Sequence, residues 1–340
     1  MPRPDTLPRV LFVLSAAERS TFLPPELERR IATLPIVPVW IEDCAALDEE
    51  RLRREHPSIL VTAWASRPLP VSWLSDPDCS LRYICHLAGS VKHRVPRDFI
   101  ARGGLVSNWG SLAADAVAEH ALLLALAALR NLGRWRPLLA TPRPAGGESL
   151  TLGTRTLHKR RVSIHGFGAV ARALAGLLKP FHPDLLAWSE GAPQTLFNVA
   201  EVTRAGSFDD LLAHGDVFFE CEALTPATKG CLDAARLARL PDGAVFVNVA
   251  RGQLVDESAL LREAASGRIR IALDVVRDEP LDSGHPFAAL PDAILSPHIA
   301  GPTPDQYPQL GAFALDNLQR HLRGESPEAL VSLDAYDRST

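Results

Sequence analysis

The sequence contains few cysteines, no excess of either charge and no long hydrophobic run, and each absence excludes a class of protein. Its five cysteines among 340 residues are scattered and never spaced C-x-x-C, so we expect neither a disulfide framework nor a metal site. Lysine and arginine number 36 against 40 aspartate and glutamate residues, which argues against a nucleic-acid partner. The longest helical apolar stretch, "ALLLALAAL" from Ala121, is too short to span a bilayer. We therefore predict a cytoplasmic protein without a membrane partner.

Short apolar runs alternate with helical patterns along most of the chain. The segments predicted as strands are residues 9–14, 58–63, 81–87, 104–108, 162–165, 185–188, 217–220, 244–249, 269–273 and 294–296. The segments predicted as helices include residues 25–34, 112–132, 208–212, 257–265 and 308–322. This alternation, with nearly continuous apolar strands, predicts an α/β fold of doubly wound parallel sheets covered on both faces. At 340 residues, two domains are expected.

Two segments lack this alternation. Residues 136–154 are rich in proline, glycine, serine and threonine, which predicts an extended connection. The residues after Leu322 are mostly polar, and we expect them to form an irregular tail. No internal repeat or low-complexity tract is present in the sequence.

The stretch "SIHGFGAVARALAGLLKP" places two glycines between a predicted strand and a predicted helix. Gly166 would permit a tight turn, and Gly168 would let the backbone approach a pyrophosphate at the positive end of the helix dipole. The third position of the dinucleotide pattern is Ala171, which is small enough for the helix to meet the strand. The pattern predicts a dinucleotide site, and the alternative is a plain turn between strand and helix.

The next strand should end in an acidic residue that binds the ribose hydroxyls of a dinucleotide. Ser189 stands at that position and Glu190 follows it. Glu190 could accept hydrogen bonds from the ribose and would repel a 2′-phosphate, and residues 191–193 contain no arginine. These residues favour NAD as the cofactor and leave NADP open.

Three further strands end in residues suited to catalysis. The predicted strand in "VFVNVARG" is followed by Arg251, and the predicted strand in "AILSPHIAG" is followed by His298. "RIRIALDV" reaches Asp274, with Glu279 five residues later. The carboxyl ends of strands form the ligand crevice of an open α/β sheet, so these side chains should face a bound dinucleotide. Arginine matches a carboxylate with a planar fork, and a histidine paired with a carboxylate can donate a proton near neutral pH.

Each of these residues taken alone also has a structural interpretation. Arg251 could satisfy carbonyl groups at a strand end, and His298 could be a structural loop histidine. Glu279, which precedes a proline, could be a solvated turn residue. Trp64 and Trp109 are interpreted as packing residues, although either could shape specificity. The joint occurrence of the arginine, the glutamate and the histidine in this order is what favours catalysis.

The ordered motifs resemble the D-isomer-specific 2-hydroxyacid dehydrogenase family. The resemblance rests on the G-x-G-x-x-A loop and on "NVARG", "LDV" with "EPL", and "SPHIAG", which follow one another in the family's order. "LTPATKG", "VSN" and "AVAEHALLL" are also similar to family segments. The likeness covers most of residues 81–323 and is weak in the first eighty residues. It implies an NAD(H)-dependent oxidoreductase.

The resemblance implies a role for each matched residue. Arg251 would bind the substrate carboxylate and carbonyl, His298 would be the general acid/base, and Glu279 would hold and polarise the histidine. Asp274 would contact the nicotinamide carboxamide. The residues expected to bind the cofactor are Gly166, Phe167, Gly168, Ala169, Val170, Ser189, Glu190, Leu224, Thr225, Val249, Ala250, Arg251, Asp274, His298 and Gly301.

The resemblance also implies that the substrate carboxylate rests on backbone N–H groups of a glycine-containing loop in the first domain. "HLAGSVKH" stands there, so Ser90 and Val91 are the candidates, together with Arg251 and His298. Ser90, Lys92 and residues 276 and 277 depart from the family's usual pattern, which puts the substrate in doubt more than the reaction type. The implied substrates are small 2-oxo or 2-hydroxy acids such as glyoxylate, hydroxypyruvate or 3-phosphoglycerate.

In the implied architecture, a Rossmann NAD-binding domain is inserted into a flavodoxin-like substrate domain. Residues 1–113 and 302–340 would form the substrate-binding domain, and residues 114–301 the dinucleotide-binding domain. The helices at 112–132 and 304–322 would connect the two, and a homodimer would form partly through the region after the first helix. The alternative from another class is an NADH-sensing binding protein, similar to corepressors with this fold, with negligible turnover.

Overall fold

The chain divides into two compact units. A computed structural model describes residues 7–140 and 148–338. Unit 1 consists of Met1–Ala113 with Pro302–Thr340, and unit 2 of Ala114–Gly301. Unit 2 is therefore inserted in the sequence of unit 1.

Strands and helices alternate along both units. The strands are β1 (Arg9–Val13), β2 (Val37–Ile41), β3 (Ile59–Thr62), β4 (Tyr83–His86), β5 (Leu105–Ser107), β6 (Arg161–His165), β7 (Asp184–Trp188), β8 (Thr203–Arg204), β9 (Val217–Glu220), β10 (Val245–Asn248), β11 (Arg270–Leu273) and β12 (Ile294–Leu295). The α-helices are α1 (Ala16–Phe22), α2 (Pro25–Ala32), α3 (Glu49–Glu55), α4 (Val71–Leu74), α5 (Arg97–Ala101), α6 (Ala114–Leu129), α7 (Trp135–Leu139), α8 (Glu148–Thr151), α9 (Ala169–Leu178), α10 (Gln194–Ala200), α11 (Phe208–His214), α12 (Ala234–Leu237), α13 (Glu257–Ala265), α14 (Tyr307–Leu322) and α15 (Leu333–Arg338). Short 3-10 helices lie at Cys44–Ala46, Leu132–Arg134, Lys179–Phe181, Gly252–Leu254 and Pro286–Ala289.

Unit 1 contains a five-stranded parallel sheet with the strand order β2-β1-β3-β4-β5. This is the flavodoxin-like doubly wound order. Alternate residues of β1 enter two different cores, since Val10 and Phe12 pack in one hydrophobic cluster and Leu11 and Val13 in another. Successive side chains of a strand point to opposite faces, so both faces of this sheet are covered.

Unit 2 contains a seven-stranded parallel sheet with the strand order β12-β11-β10-β9-β6-β7-β8. Counted from β6, this is the Rossmann order extended by one strand. Val245 and Val247 of β10 join one hydrophobic cluster and Phe246 joins the other, so this sheet is also covered on both faces. The two parallel sheets confirm the predicted α/β fold of two doubly wound domains. The strand order reverses between β6 and β9, which is where such sheets bind ligands.

One strand of unit 1 is missing from the prediction. β2 contains Pro38, which cannot donate a hydrogen bond to a neighbouring strand and interrupts the apolar pattern. The strand lies at the edge of the sheet and pairs with β1 in the register Val10↔Pro38. Proline is tolerated at an edge because one side of the strand needs no partner.

The predicted extended connection at residues 136–154 is wrong in two places. Residues 136–139 belong to α7, and residues 148–151 form α8. Pro137 lies in the first turn of α7, where the missing N–H costs no helical hydrogen bond. Residues 141–147 of the predicted connection lie outside the described residues.

The predicted irregular tail after Leu322 is also wrong in part, because α15 forms within it. The Val331 amide donates to the Val106 carbonyl over 2.8 Å. The Tyr336 hydroxyl donates to the Val95 carbonyl over 2.8 Å. Val331 and Tyr336, which are buried, therefore attach this mostly polar segment to unit 1.

Among residues 7–140 and 148–338, we find no single helix with both the length and the hydropathy needed to cross a membrane. One bent pair, Ala114–Leu129 followed by Leu132–Leu139, meets that test by length and composition alone.

Candidate active site at the strand ends of unit 2

The glycine loop joins β6 to α9. Gly166 has a φ of +87°, and a Cβ there would lie 2.5 Å from the backbone nitrogen of Glu222, so only glycine fits. Gly168 caps the ten-residue helix α9, and a Cβ at Gly168 would meet no atom within 4 Å. Ala171 is fully buried in the core between helix and sheet. The open space over the N-terminus of α9 suits a phosphate group, so these residues fit a dinucleotide.

Arg251 follows β10 in a tight turn that its neighbours hold in place. The Asn248 side chain donates to the Arg251 carbonyl over 3.1 Å and accepts from the Ala250 amide over 3.0 Å. Gly252 is packed so closely that a Cβ would lie 2.0 Å from the carbonyl carbon of Val276. The turn is therefore fixed between β10 and the segment that follows β11.

Few groups of the protein offset the buried charge of the Arg251 guanidinium. One nitrogen donates to the Ala250 carbonyl over 2.6 Å, and no other acceptor within the described parts of the chain binds it. Burial lowers the pKa of Arg251, and the attraction of Glu279 offsets part of that effect. Arginine stays protonated despite such shifts, so the side chain presents unused N–H donors that match a carboxylate.

Asp274, just after β11, holds the loop that carries His298. Its Oδ1 accepts from Ser296 Oγ over 2.6 Å and from the Ile299 amide over 2.9 Å. Its Oδ2 accepts from the Ala300 amide over 3.0 Å. The His298 amide donates to the Asp274 carbonyl over 2.9 Å. These contacts fix the backbone on both sides of the histidine.

The Asp274 carboxylate is buried, and its pKa lies below the ordinary value for aspartate. Burial alone would raise the pKa, but hydrogen bonds from His120, Ser296 and two loop amides together outweigh burial. His120 Nε2, on α6, lies 2.9 Å from Ser296 Oγ and 3.5 Å from Asp274 Oδ1. Helix α6 therefore helps to hold the same loop.

His298 and Glu279 form a pair at the open edge of the sheet. His298 Nδ1 lies 2.7 Å from Glu279 Oε2, and the two side chains are 46% and 35% exposed. His298 has a φ of +54°, a left-handed conformation that few residues other than glycine adopt. Because Nδ1 faces Glu279, Nε2 is the ring atom left to exchange a proton with a ligand.

A small cavity adjoins this pair. Its walls include His298, Glu279 and Asp274 together with the apolar side chains of Val276 and Leu281. A pocket that combines apolar walls with a few convergent polar groups is typical of a ligand site.

Comparison with known proteins identifies the family of this chain. Residues 122–300 match the family model described as "D-isomer specific 2-hydroxyacid dehydrogenase, NAD binding domain". The match spans more than half of the chain. The chain belongs to the D-isomer specific 2-hydroxyacid dehydrogenase family.

Named relatives cover most of the chain. The glyoxylate reductase/hydroxypyruvate reductase of Homo sapiens is 29% identical over 265 residues, which is 74% of this chain and 77% of the human protein. A glyoxylate reductase of Thermofilum pendens is 30% identical over 235 residues, 68% of this chain and 69% of that one. The crystal structure of a glyoxylate reductase from Paecilomyes thermophila has a TM-score of 0.78 at 22% identity, covers 97% of this chain and 99% of that one, and supports the fold.

The family confirms the predicted enzyme class and cofactor. The protein is a dehydrogenase of 2-hydroxy acids that depends on NAD(P). The glycine loop of unit 2 lies within the part of the chain that matches the NAD-binding model.

The dehydrogenase carries the other predicted cofactor residues at the same ends of its strands. The ring of Phe167 is buried and stacks on Phe197 with 4.1 Å between centroids, so only its backbone is available to a ligand. The remaining residues are Ala169 and Val170 at the start of α9, Ser189 and Glu190 after β7, Leu224 and Thr225 after β9, Val249 and Ala250 after β10, and Gly301 beyond β12.

The two residues predicted to bind the substrate carboxylate lie in unit 1, after β4. Val91 is buried in the core of this unit. Ser90 Oγ, Arg94 Nε and Trp109 Nε1 are all buried without a hydrogen-bond partner in the described residues. The Arg94 amide donates to the Val91 carbonyl over 3.0 Å. A buried polar atom without a partner is costly, and these three atoms are closed to solvent.

Several residues that contact the predicted site residues were missed in the sequence. Asn248 fixes the turn of Arg251, His120 binds Ser296, and Glu222 binds Ser189. Asn248 carried a recognisable signal, because it is a polar residue that closes an apolar strand. His120 lies within the quoted "AVAEHALLL", where nothing in the pattern singles it out. Glu222 follows a predicted strand by two residues, but its partner is 33 residues away.

Proposed function

We propose that this dehydrogenase reduces small 2-oxo acids to 2-hydroxy acids. The observation that carries the proposal is the His298–Glu279 pair, with 2.7 Å between Nδ1 and Oε2, at the sheet edge that also carries Arg251. Glyoxylate and hydroxypyruvate are the substrates that we expect first, because both appear in the names of the relatives. Oxidation of 3-phosphoglycerate is the third candidate.

In this proposal, His298 is the general acid and Glu279 positions it. The reduced nicotinamide, when bound, supplies a hydride for the 2-oxo carbon. His298 Nε2–H donates the proton that the resulting alkoxide needs. Glu279 fixes the ring through Nδ1 and stabilises the imidazolium. In the direction of oxidation, the neutral imidazole accepts the same proton.

Arg251 is proposed to bind the substrate carboxylate and to stabilise charge on the carbonyl oxygen. Its guanidinium has N–H donors left after the contact with Ala250, and a planar fork suits a carboxylate. Competition from water is weak around a largely buried guanidinium, so the attraction is stronger than in solution.

For Asp274, the contacts support a positioning role beside the implied contact with the nicotinamide carboxamide. Both oxygens already accept hydrogen bonds from the His298 loop. A carboxylate has about four lone-pair sites, so one carboxamide N–H can still be accepted. We propose that its larger contribution is to hold His298 in place.

We propose that residues 114–301 bind the dinucleotide and that residues 1–113 with 302–340 bind the substrate. The backbone amides of Ser90 and Val91 are the proposed contacts to the substrate carboxylate.

We propose a homodimer that forms through the region after α6. Four large apolar side chains of this region are exposed, namely Leu132, Trp135, Leu139 and Leu150. Clusters of exposed apolar residues mark interaction surfaces. Light scattering on the purified protein tests the proposal, and a monomer at micromolar concentration would contradict it.

A cytoplasmic location is proposed on the basis of the cysteines. All five are free thiols in the structure, as is usual in a reducing compartment. Fractionation of the cells that produce the protein would check this.

A substrate panel tests the proposed reaction. Glyoxylate, hydroxypyruvate and larger 2-oxo acids are each mixed with the enzyme and NADH or NADPH, and the absorbance of the reduced cofactor is followed. We expect turnover with at least one small acid. Tight dinucleotide binding with no turnover on any acid would contradict the proposal and support a dinucleotide-sensing protein instead.

A further inference from the structure

We propose that Glu222, a residue after β9, supplies the carboxylate that binds the adenosine ribose and selects NAD(H) over NADP(H). The inference rests on the dinucleotide site of the proposed function and assigns its cofactor specificity. In Rossmann domains this carboxylate normally stands at the end of the second strand, where this chain has Ser189.

The Glu222 side chain reaches the end of β7 from a different strand. Ser189 Oγ donates to Glu222 Oε2 over 2.6 Å. The strands β9, β6 and β7 are neighbours in that order, so this contact crosses the end of β6, where the glycine loop begins. The backbone of Glu222 also packs against Gly166, whose Cβ would lie 2.5 Å from the Glu222 nitrogen. The carboxylate is therefore beside the loop that fits the pyrophosphate.

A buried network holds the backbone of Glu222 in this position. Its amide donates to Glu220 Oε1 over 2.8 Å. Glu220 Oε2 lies 2.6 Å from His165 Nδ1, and both residues of that pair are almost fully buried. Glu222 Oε1 also accepts from the Ala223 amide over 2.9 Å. The acid is thus fixed at its backbone and at both carboxylate oxygens.

The chemistry of the two cofactors differs at the atom that this carboxylate would meet. A ribose diol has two O–H donors, and a carboxylate with about four lone-pair sites can accept both while it keeps its two protein contacts. A 2′-phosphate brings negative charge and no strong donor, so a fixed carboxylate repels it. The same site therefore favours NAD(H) in two ways.

The neighbouring Glu190 is a weaker candidate for this role. It is exposed, and its carboxylate makes no hydrogen bond or ion pair within the described residues. A solvated carboxylate is screened by water and salt. The nearest strand on the other side of β7 carries Arg204, whose guanidinium lies over the Phe197 ring at 5.3 Å from its centroid. If Arg204 bound the 2′-phosphate of NADPH, this cofactor would bind tightly.

Direct binding measurements test the proposal. The Kd values of NADH and NADPH are measured by fluorescence titration for the wild type, Glu222→Gln, Ser189→Ala and Glu190→Gln. The wild type should bind NADH at least tenfold more tightly than NADPH. Glu222→Gln should narrow that preference about tenfold, mostly through tighter NADPH binding. Ser189→Ala, which removes one of the two hydrogen bonds to the Glu222 carboxylate but keeps its charge, should weaken NADH binding a few-fold.

Glu190→Gln is the matched comparison, because it removes one charge from the adjacent exposed position. It should change the ratio of the two Kd values less than threefold. Equal affinity of the wild type for the two cofactors, an unchanged ratio in a folded Glu222→Gln, or a larger change in Glu190→Gln would each overturn the proposal. If neither dinucleotide binds the wild type, the proposed function fails as well, so the two failures are distinguishable.

Discussion

Among the described residues of unit 2, two histidine–glutamate pairs lie at the carboxyl ends of strands, and they differ in what surrounds them. His298 Nδ1 and Glu279 Oε2 are 2.7 Å apart at the exposed edge, with side chains 46% and 35% accessible. His165 Nδ1 and Glu220 Oε2 are 2.6 Å apart, with side chains 2% and 0% accessible. Distance and chemistry are almost the same in the two pairs. Access to solvent is what separates them.

The surroundings decide what each pair can do. The His165 ring stacks against Trp188 and Phe208, with 5.7 and 4.2 Å between centroids. No ligand can reach that imidazole, so the pair serves to join β6 to β9, whose register places the two residues opposite each other. His298 instead lines a cavity. A histidine beside a carboxylate therefore becomes a candidate acid/base only where its second nitrogen is accessible.

Replacing the accessible histidine should have the largest effect on activity. His298→Asn removes the proton donor, and general acid catalysis contributes about 10²–10⁴-fold, so kcat for 2-oxo acid reduction should fall by that factor. The Kd of NADH and the melting temperature should change little, because the side chain is exposed.

Steady-state kinetics and cofactor titration measure these effects. His158→Asn, a change at an exposed histidine outside the site, is the matched control and should retain full activity. A loss of less than tenfold in His298→Asn would show that another group donates the proton.

Replacing the buried histidine should affect stability first. His165→Leu leaves the Glu220 carboxylate buried without its partner, which typically costs about 3–5 kcal/mol. Unfolding in urea should show this loss, while kcat at saturating cofactor should remain within tenfold of the wild type. If kcat fell as far as in His298→Asn with no change in stability, the division of roles between the two pairs would be wrong.

A smaller effect on kcat is expected when a contact that positions the His298–Glu279 pair is removed. Ser296→Ala removes the donor to Asp274 Oδ1, and a hydrogen bond of about 1 kcal/mol corresponds to roughly a fivefold fall in kcat. Ser296→Thr keeps a hydroxyl and should recover most of the rate. Ser20→Ala, on the exposed face of α1, is the control. Equal rates for Ser296→Ala and Ser296→Thr would contradict the positioning role.

Most of the fold could be predicted from local patterns. Apolar runs and their helical partners are local features, so β9 and α13 were predicted with the bounds that the structure has. The prediction failed where a short strand or helix does not follow the hydrophobic pattern. β2 was missed because of Pro38, and β8 has only two residues. The attachment of α15 to unit 1 depends on two buried side chains in a polar segment.

The residues of the site also divide into those that the sequence predicted and those that it did not. Arg251, Glu279 and His298 each follow a strand in a motif of few residues, so the sequence alone determined which side chains stand at the edge of the sheet. Other contacts depend on which strands are neighbours. They are the hydrogen bonds of Asp274 with the His298 loop, the Ser189–Glu222 contact and the buried His165–Glu220 pair. Only the tertiary structure decided these, because contacts between residues far apart in the chain are set by strand order and register.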